Sequence, residues 1–139
     1  MLDESTLLSR LLALGWDARP HGESTYSCAR ATSEGTFDVY VRLTDHWLVA
    51  SIVPFLRTRG RNSFELCRWL LRQNRDMAQV KFGIDDDGDV VLTVELPTES
   101  LDDSELRIAL ETLVREGERH RRTLRAASEA AARAGKGAG

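Results

Sequence analysis

The acidic run Asp85, Asp86, Asp87, Gly88, Asp89 is the densest set of potential ligands in the chain, and calcium is the ion such a run could hold. An EF-hand loop needs a carboxylate at its first position, Gly at its sixth and a bidentate Glu at its twelfth. With Gly88 sixth, the first position is Gly83 and the twelfth is Val94, so two obligatory ligands are missing. Asp-Gly pairs tolerate positive φ, and the run reads as a solvated hairpin turn.

The remaining reactive side chains are scattered. His21, His46 and His120 fall in a loop, a turn and the basic end of the last helix, none at HxH or HExxH spacing, and are expected at the surface. Cys28 and Cys67 occupy different elements with no CxxC, so neither a disulfide framework nor a zinc site is indicated. Cys67 lies beside Leu66 and Trp69 and reads as a buried, inert thiol. Ser51 sits inside a strand without a GxSxG turn, and no GxGxxG or GxxxxGK[ST] loop is present to cradle phosphate. The carboxylates of Asp102, Asp103 and Glu105 suit a helix N-terminus. The chain is therefore expected to be no enzyme and to need no metal or cofactor.

Two arginine groups could bind an anion: Arg57, Arg59 and Arg61 before the second helix, and Arg119, Arg121, Arg122 and Arg125 near the end of the third. Brought together, they would make salt-sensitive contacts to an anionic partner such as nucleic acid. No aromatic residues are interleaved to stack bases, and arginines near a helix C-terminus complement its dipole. Anion binding is thus the second reading, behind a protein-binding surface.

The elements that must position these residues follow from periodicity. Leu7, Leu8, Leu11, Leu12 and Leu14 recur at helical spacing over residues 3–14, behind Asp3 and Glu4 and ahead of Gly15. Residues 16–22, with Pro20 and Gly22, read as a loop, and 25–31 as a weakly apolar strand. Phe37, Val39, Val41 and Leu43 alternate with polar residues, as in a half-buried antiparallel strand. Residues 47–53 are apolar on both faces, and Pro54 is expected to end that ladder. A second helix, 62–73, opens on a capping box from Asn62 to Glu65 and carries Phe64, Leu66, Cys67, Trp69, Leu70 and Leu71. Strands 80–84 and 90–96 alternate around the acidic turn. A third helix starts at Asp102 or Asp103, and its apolar pattern fades after Gly117. The order α-β-β-β-α-β-β-α, with short turns between strands, predicts an α+β fold: a twisted antiparallel five-stranded sheet with packed helices.

A chain of 139 residues, 42% apolar and 29% charged, is expected to form one domain over 1–125, with an Ala/Gly-rich end, 126–139, that is frayed or disordered. Nineteen basic and 22 acidic side chains leave a net charge of -3, which gives no global attraction to nucleic acid or anionic membrane. Residues 1–9 lack a basic n-region and an apolar h-region, and the longest mostly apolar run, 47–56, is broken by Pro54. That run is about half the length of a spanning helix, so a cytoplasmic location with no membrane contact is expected.

The succession LLRQNRDM, QVKFGIDDDGDVVLTVELP and LDDSEL resembles the YbjN family of bacterial sensory transduction regulators, clearly over residues 62–124 and in element order before that. The resemblance implies a fold similar to the type III secretion chaperones, a small and often dimeric domain, and a protein-binding or regulatory role. It brings no catalytic residues.

Function is expected to reside in two apolar surfaces. The apolar arc of the second helix is wider than one sheet requires, which predicts a dimer interface of Phe64, Cys67, Trp69, Leu70 and Leu71. The partner there is a second copy or, on the same face, a related chain. Tyr40, Trp47, Val49 and Val53, on the second face of the sheet, are expected to bind another protein unless a helix covers them.

Overall fold

The computed structural model describes residues 2–137. In chain order the elements are α1 (Glu4–Ala13), β1 (Ala18–Pro20), β2 (Thr25–Thr32), β3 (Gly35–Leu43), β4 (Trp47–Leu56), α2 (Phe64–Asp76), β5 (Val80–Ile84), β6 (Val90–Pro97) and α3 (Asp103–Gly137). The sheet has six strands in the order β1-β2-β3-β4-β6-β5, not the expected five, with every neighbouring pair antiparallel. The added strand, β1, lies where a loop was expected, because three residues ending in Pro20 are too short to display alternation.

Period-2 alternation places one register row across the whole sheet: Ala18, Cys28, Val39, Ile52, Leu92 and Phe82, each directly opposite the next. All six are buried. Leu7 and Leu11 of α1, Leu70 of α2 and Leu106, Leu110 and Leu113 of α3 pack with them in a single core. The adjacent row, Ser27, Tyr40, Ser51, Thr93 and Lys81, points the other way and is at least partly exposed at every position. The helices therefore cover one face of the sheet and leave the other open.

Local chemistry sets the helix ends. The Asp3 carboxylate accepts from the Thr6 N–H at 2.8 Å. Ser63, not Asn62, caps α2 and accepts from the Leu66 N–H at 3.1 Å. Asn62 instead donates to the Gly88 carbonyl at 3.1 Å and ties the approach of α2 to the acidic hairpin. Asp102 and Glu105 form a reciprocal capping box for α3, at 2.7 and 3.2 Å.

Two boundaries differ from expectation. β4 continues past Pro54 to Leu56, because the proline falls in the register shift between Ile52 and Leu56, where its missing N–H breaks no ladder bond. α3 stays helical to Gly137 through the segment expected to fray, although every side chain from 125 to 135 is exposed; Ala138 and Gly139 lie outside the described residues.

Candidate protein-binding surfaces

Helical phase divides the apolar residues of α2 between two destinations. At 100° per residue, Leu66, Trp69, Leu70 and Gln73 share one side, while Phe64, Cys67, Arg68, Leu71 and Arg75 share the opposite one. Leu70 is buried, and the Trp69 ring packs 5.9 Å from Phe82 and 5.6 Å from His120. These two expected interface residues thus belong to the core of the chain itself. Phe64 and Leu71 are 74% and 68% exposed and, with Cys67, Arg68, Arg72 and Arg75, line a shallow groove of about 410 Å³. Cys67 is partly exposed rather than buried as expected. Complete burial of Phe64 and Leu71 by a partner would be worth about 1.5–3 kcal/mol for each side chain.

The open face of the sheet carries the second expected surface. β4 is interior to the sheet, and among the described residues no helix covers its outer side. Tyr40, Val49 and Val53 line one groove of about 320 Å³ with Thr25, Arg42 and Ser51. Trp47, 46% exposed, lies instead in a separate hollow with Lys81, Thr93 and Glu95. The register explains the amphipathic character of this face, since Val49 sits between Arg42 and Glu95 and Ser51 meets the Thr93 hydroxyl at 2.9 Å.

Arg119, Arg121, Arg122 and Arg125 of α3 are engaged within the chain. Arg119 pairs with Glu116 at 2.7 Å, and Arg122 and Arg125 reach the buried Glu34 side chain at 3.2 and 3.0 Å. Arg121 donates to the Phe55 carbonyl with its guanidinium about 5 Å from the Phe37 and Phe55 rings. Arg57, Arg59 and Arg61 are exposed and form no ion pair among the described residues.

Two carboxylates of the acidic hairpin accept from backbone N–H groups, one within the turn and one in the loop before α2. Asp85 accepts from the Asp87 and Asp89 N–H groups, both at 3.0 Å, and Asp89 accepts from the Arg59 N–H at 2.8 Å. Gly88 has φ +80°, and a Cβ there would lie 2.4 Å from the Gly60 nitrogen. The tip is thereby pressed onto the loop that enters α2.

Two features escaped the sequence reading. His120 is 2% exposed, not a surface residue; its Nδ1 donates to the Glu116 carbonyl at 2.7 Å and its Nε2 lies 3.3 Å from the Gln73 amide. Its burial could have been found from the spacing of Leu106, Leu110, Leu113, Gly117, His120 and Leu124, which keeps the core stripe of α3 in phase. A cleft of about 450 Å³ between β6 and the start of α3 is lined by Leu96, Leu101, Glu99, Glu105 and Ile108. Ile108 breaks the phase of the same stripe, which was the available signal.

The fold recurs in solved structures. A chain of the ExsC–ExsE complex matches with a TM-score of 0.63 and 18% identity, over 88% of this chain and 96% of that one. YbjN from E. coli matches with a TM-score of 0.61 and 19% identity, over 86% and 93%. A chain of the HopA1–SchA chaperone–effector complex gives 0.59 and 16%, over 88% and 99%. At these identities the likeness is one of fold. No curated protein matches the chain. The family model of YbjN, described as "Putative bacterial sensory transduction regulator", matches residues 6–126, and the chain belongs to that family.

Proposed function

We propose that this chain is a non-enzymatic protein-binding module, chaperone-like or regulatory, that acts as a homodimer through the outer side of α2. The observation that carries the reading is the pair Phe64 and Leu71, two large apolar side chains left 74% and 68% exposed one above the other on a helix whose opposite side is already packed. Exposed apolar patches of this kind mark partner surfaces. The open sheet face then serves a second polypeptide, an extended segment seated along Tyr40, Val49 and Val53. Structures sharing the fold were solved as protein complexes, ExsC with ExsE and HopA1 with SchA.

The two surfaces are tested separately. Light scattering on the purified chain should give the mass of two copies, and Leu71→Asp should give one; a wild-type monomer refutes the dimer. A photo-cross-linking residue at Val49 in the native cell should yield an adduct with one discrete polypeptide, absent when the probe is at Leu12. Equal yields at both positions would remove the sheet face from the reading.

A further inference from the structure

The cleft between β6 and the start of α3 has an acidic rim and adjoins the hollow of about 490 Å³ that holds Trp47 on the open face. Gln79 lines both, and Pro97, on the wall of the cleft, is the register partner of Trp47. The surface thus runs around the end of the sheet with one large exposed apolar side chain in each part, Ile108 and Trp47, both 46% exposed. Glu99 and Glu105 stand along the first part and Glu95 along the second. All three are exposed, and none forms an ion pair among the described residues. Glu105 accepts from the Asp102 N–H with one oxygen, at 3.2 Å, and its other oxygen is unengaged among the described residues. Lys81 is the one cation of the lining, so three carboxylates face one ammonium group, which bonds the Asn74 and Met77 carbonyls. The arginines next to the cleft are held elsewhere: Arg10 bonds the Leu101 carbonyl and pairs with Asp103, both at 3.2 Å, and Arg107 pairs with Glu111 at 3.5 Å. His46, exposed beside Trp47, carries charge only when protonated.

We infer that this groove takes an extended segment of another polypeptide in which arginine or lysine alternates with large apolar residues. This rests on the protein-binding reading, though not on its homodimer, and it names the chemistry of the partner and a further place where it sits. Successive side chains of an extended segment point to opposite sides, so apolar residues can cover Leu101 and Ile108 while the cations between them reach the glutamates of the rim. At Trp47 a basic side chain lays its stem along the exposed ring, sets its charge against the negative face of the indole and ends at Glu95. The carboxylates repel nucleic acid and an anionic membrane, whose phosphates carry the same sign. A free cation would meet the rim but leave both apolar side chains uncovered. A segment carrying both kinds of side chain matches the whole surface.

Three labelled synthetic peptides of equal length, alternating arginine with leucine, glutamate with leucine and arginine with serine, should be titrated with the protein by fluorescence anisotropy at pH about 8, where histidine is neutral. The arginine–leucine peptide should bind, less tightly as salt rises, and the other two at least about tenfold more weakly. Glu95→Lys with Glu99→Lys, and separately Ile108→Asp, should each weaken that binding at least about tenfold. Asp86→Lys with Asp87→Lys, an equal change of net charge at the hairpin tip, should leave it unaltered. All substituted positions are exposed, and circular dichroism verifies that the fold is kept. An equal loss in the tip variant would reduce the effect to net charge and overturn the groove, as would a glutamate–leucine peptide that binds as well. An arginine–leucine peptide that does not bind also overturns it. In that case a discrete adduct from the probe at Val49 leaves the protein-binding reading standing, and no adduct there removes both.

Discussion

Asn74 bonds both backbone polar groups of Phe82: its Oδ1 accepts from the Phe82 N–H at 2.7 Å, and its Nδ2 donates to the Phe82 carbonyl at 3.1 Å. β5 is an edge strand, and a side-chain amide from α2 stands in for the missing neighbour. Strand addition at this edge is thereby opposed, which leaves the unpaired outer edge of β2 beyond Cys28 as the freer one.

Asn74→Ala removes both bonds and leaves two partly buried backbone groups without partners. The expected cost is about 1–3 kcal/mol, read as a lower denaturant midpoint with an unchanged slope. An unchanged midpoint would show that the edge is satisfied by solvent.

His120 links α2, β5 and α3, since its ring meets Trp69 and Phe82 edge-on at 5.6 and 5.3 Å. Burial, foremost, holds its imidazole below the ordinary value of 6.5, and the neighbouring Arg119 acts in the same direction; the bond to the Glu116 carbonyl and the Glu116 charge act the other way. The unfolded chain therefore binds the proton more readily than the folded one between the folded value and 6.5. Stability should be constant above that window and fall as pH drops through 6.5, until the folded value is passed. Chemical denaturation across this range should show the slope in the wild type and a reduced slope in His120→Phe. The same slope in both proteins would assign the titration to another group.

The hairpin of β5 and β6 was legible because alternation, an Asp-Gly turn and charge all agree there. β1 was not, since three residues carry no period and its existence depends on the outer edge of β2. The end of β4 was misread because a proline normally stops a ladder, and only the register shift beyond Ile52 shows that no bond is lost. For the candidate site, the sequence showed that α2 is apolar on too many sides. It did not assign Trp69 and Leu70 inward and Phe64 and Leu71 outward, because that depends on which side meets β5 and His120. The open sheet face was anticipated as a possibility, and its cover or lack of one is a property of where the helices dock.

Gly117 lies where α3 passes close over the side chains of the sheet. A Cβ added there would stand 2.8 Å from Ile52 Cδ1 and 3.3 Å from the Phe37 ring. Gly117→Ala gains about 1 kcal/mol in helix propensity but overpacks the core by about 1–3 kcal/mol, so a net loss is expected. Ile52→Val removes the clashing methyl, and in the Gly117→Ala background it should be less harmful than in the wild type. A double-mutant cycle on unfolding free energies measures this coupling; strict additivity would mean that α3 shifts as a whole instead.

The two cysteines should separate cleanly by reactivity, in a way that also reports on α2. Cys28 is 2% exposed, and burial pushes its thiol up to about 11, so it should resist alkylation in the folded chain. Cys67 is partly exposed beside Phe64 and Leu71, on the side proposed to self-associate. Iodoacetamide with mass detection should therefore add one label to the native protein, at Cys67, and a second only in denaturant. If the proposed dimer forms, labelling of Cys67 should slow as protein concentration rises through the dissociation constant, and Leu71→Asp should restore the fast rate at every concentration. A Cys67 rate independent of concentration, in a protein that light scattering shows to be dimeric, would place the interface on another surface.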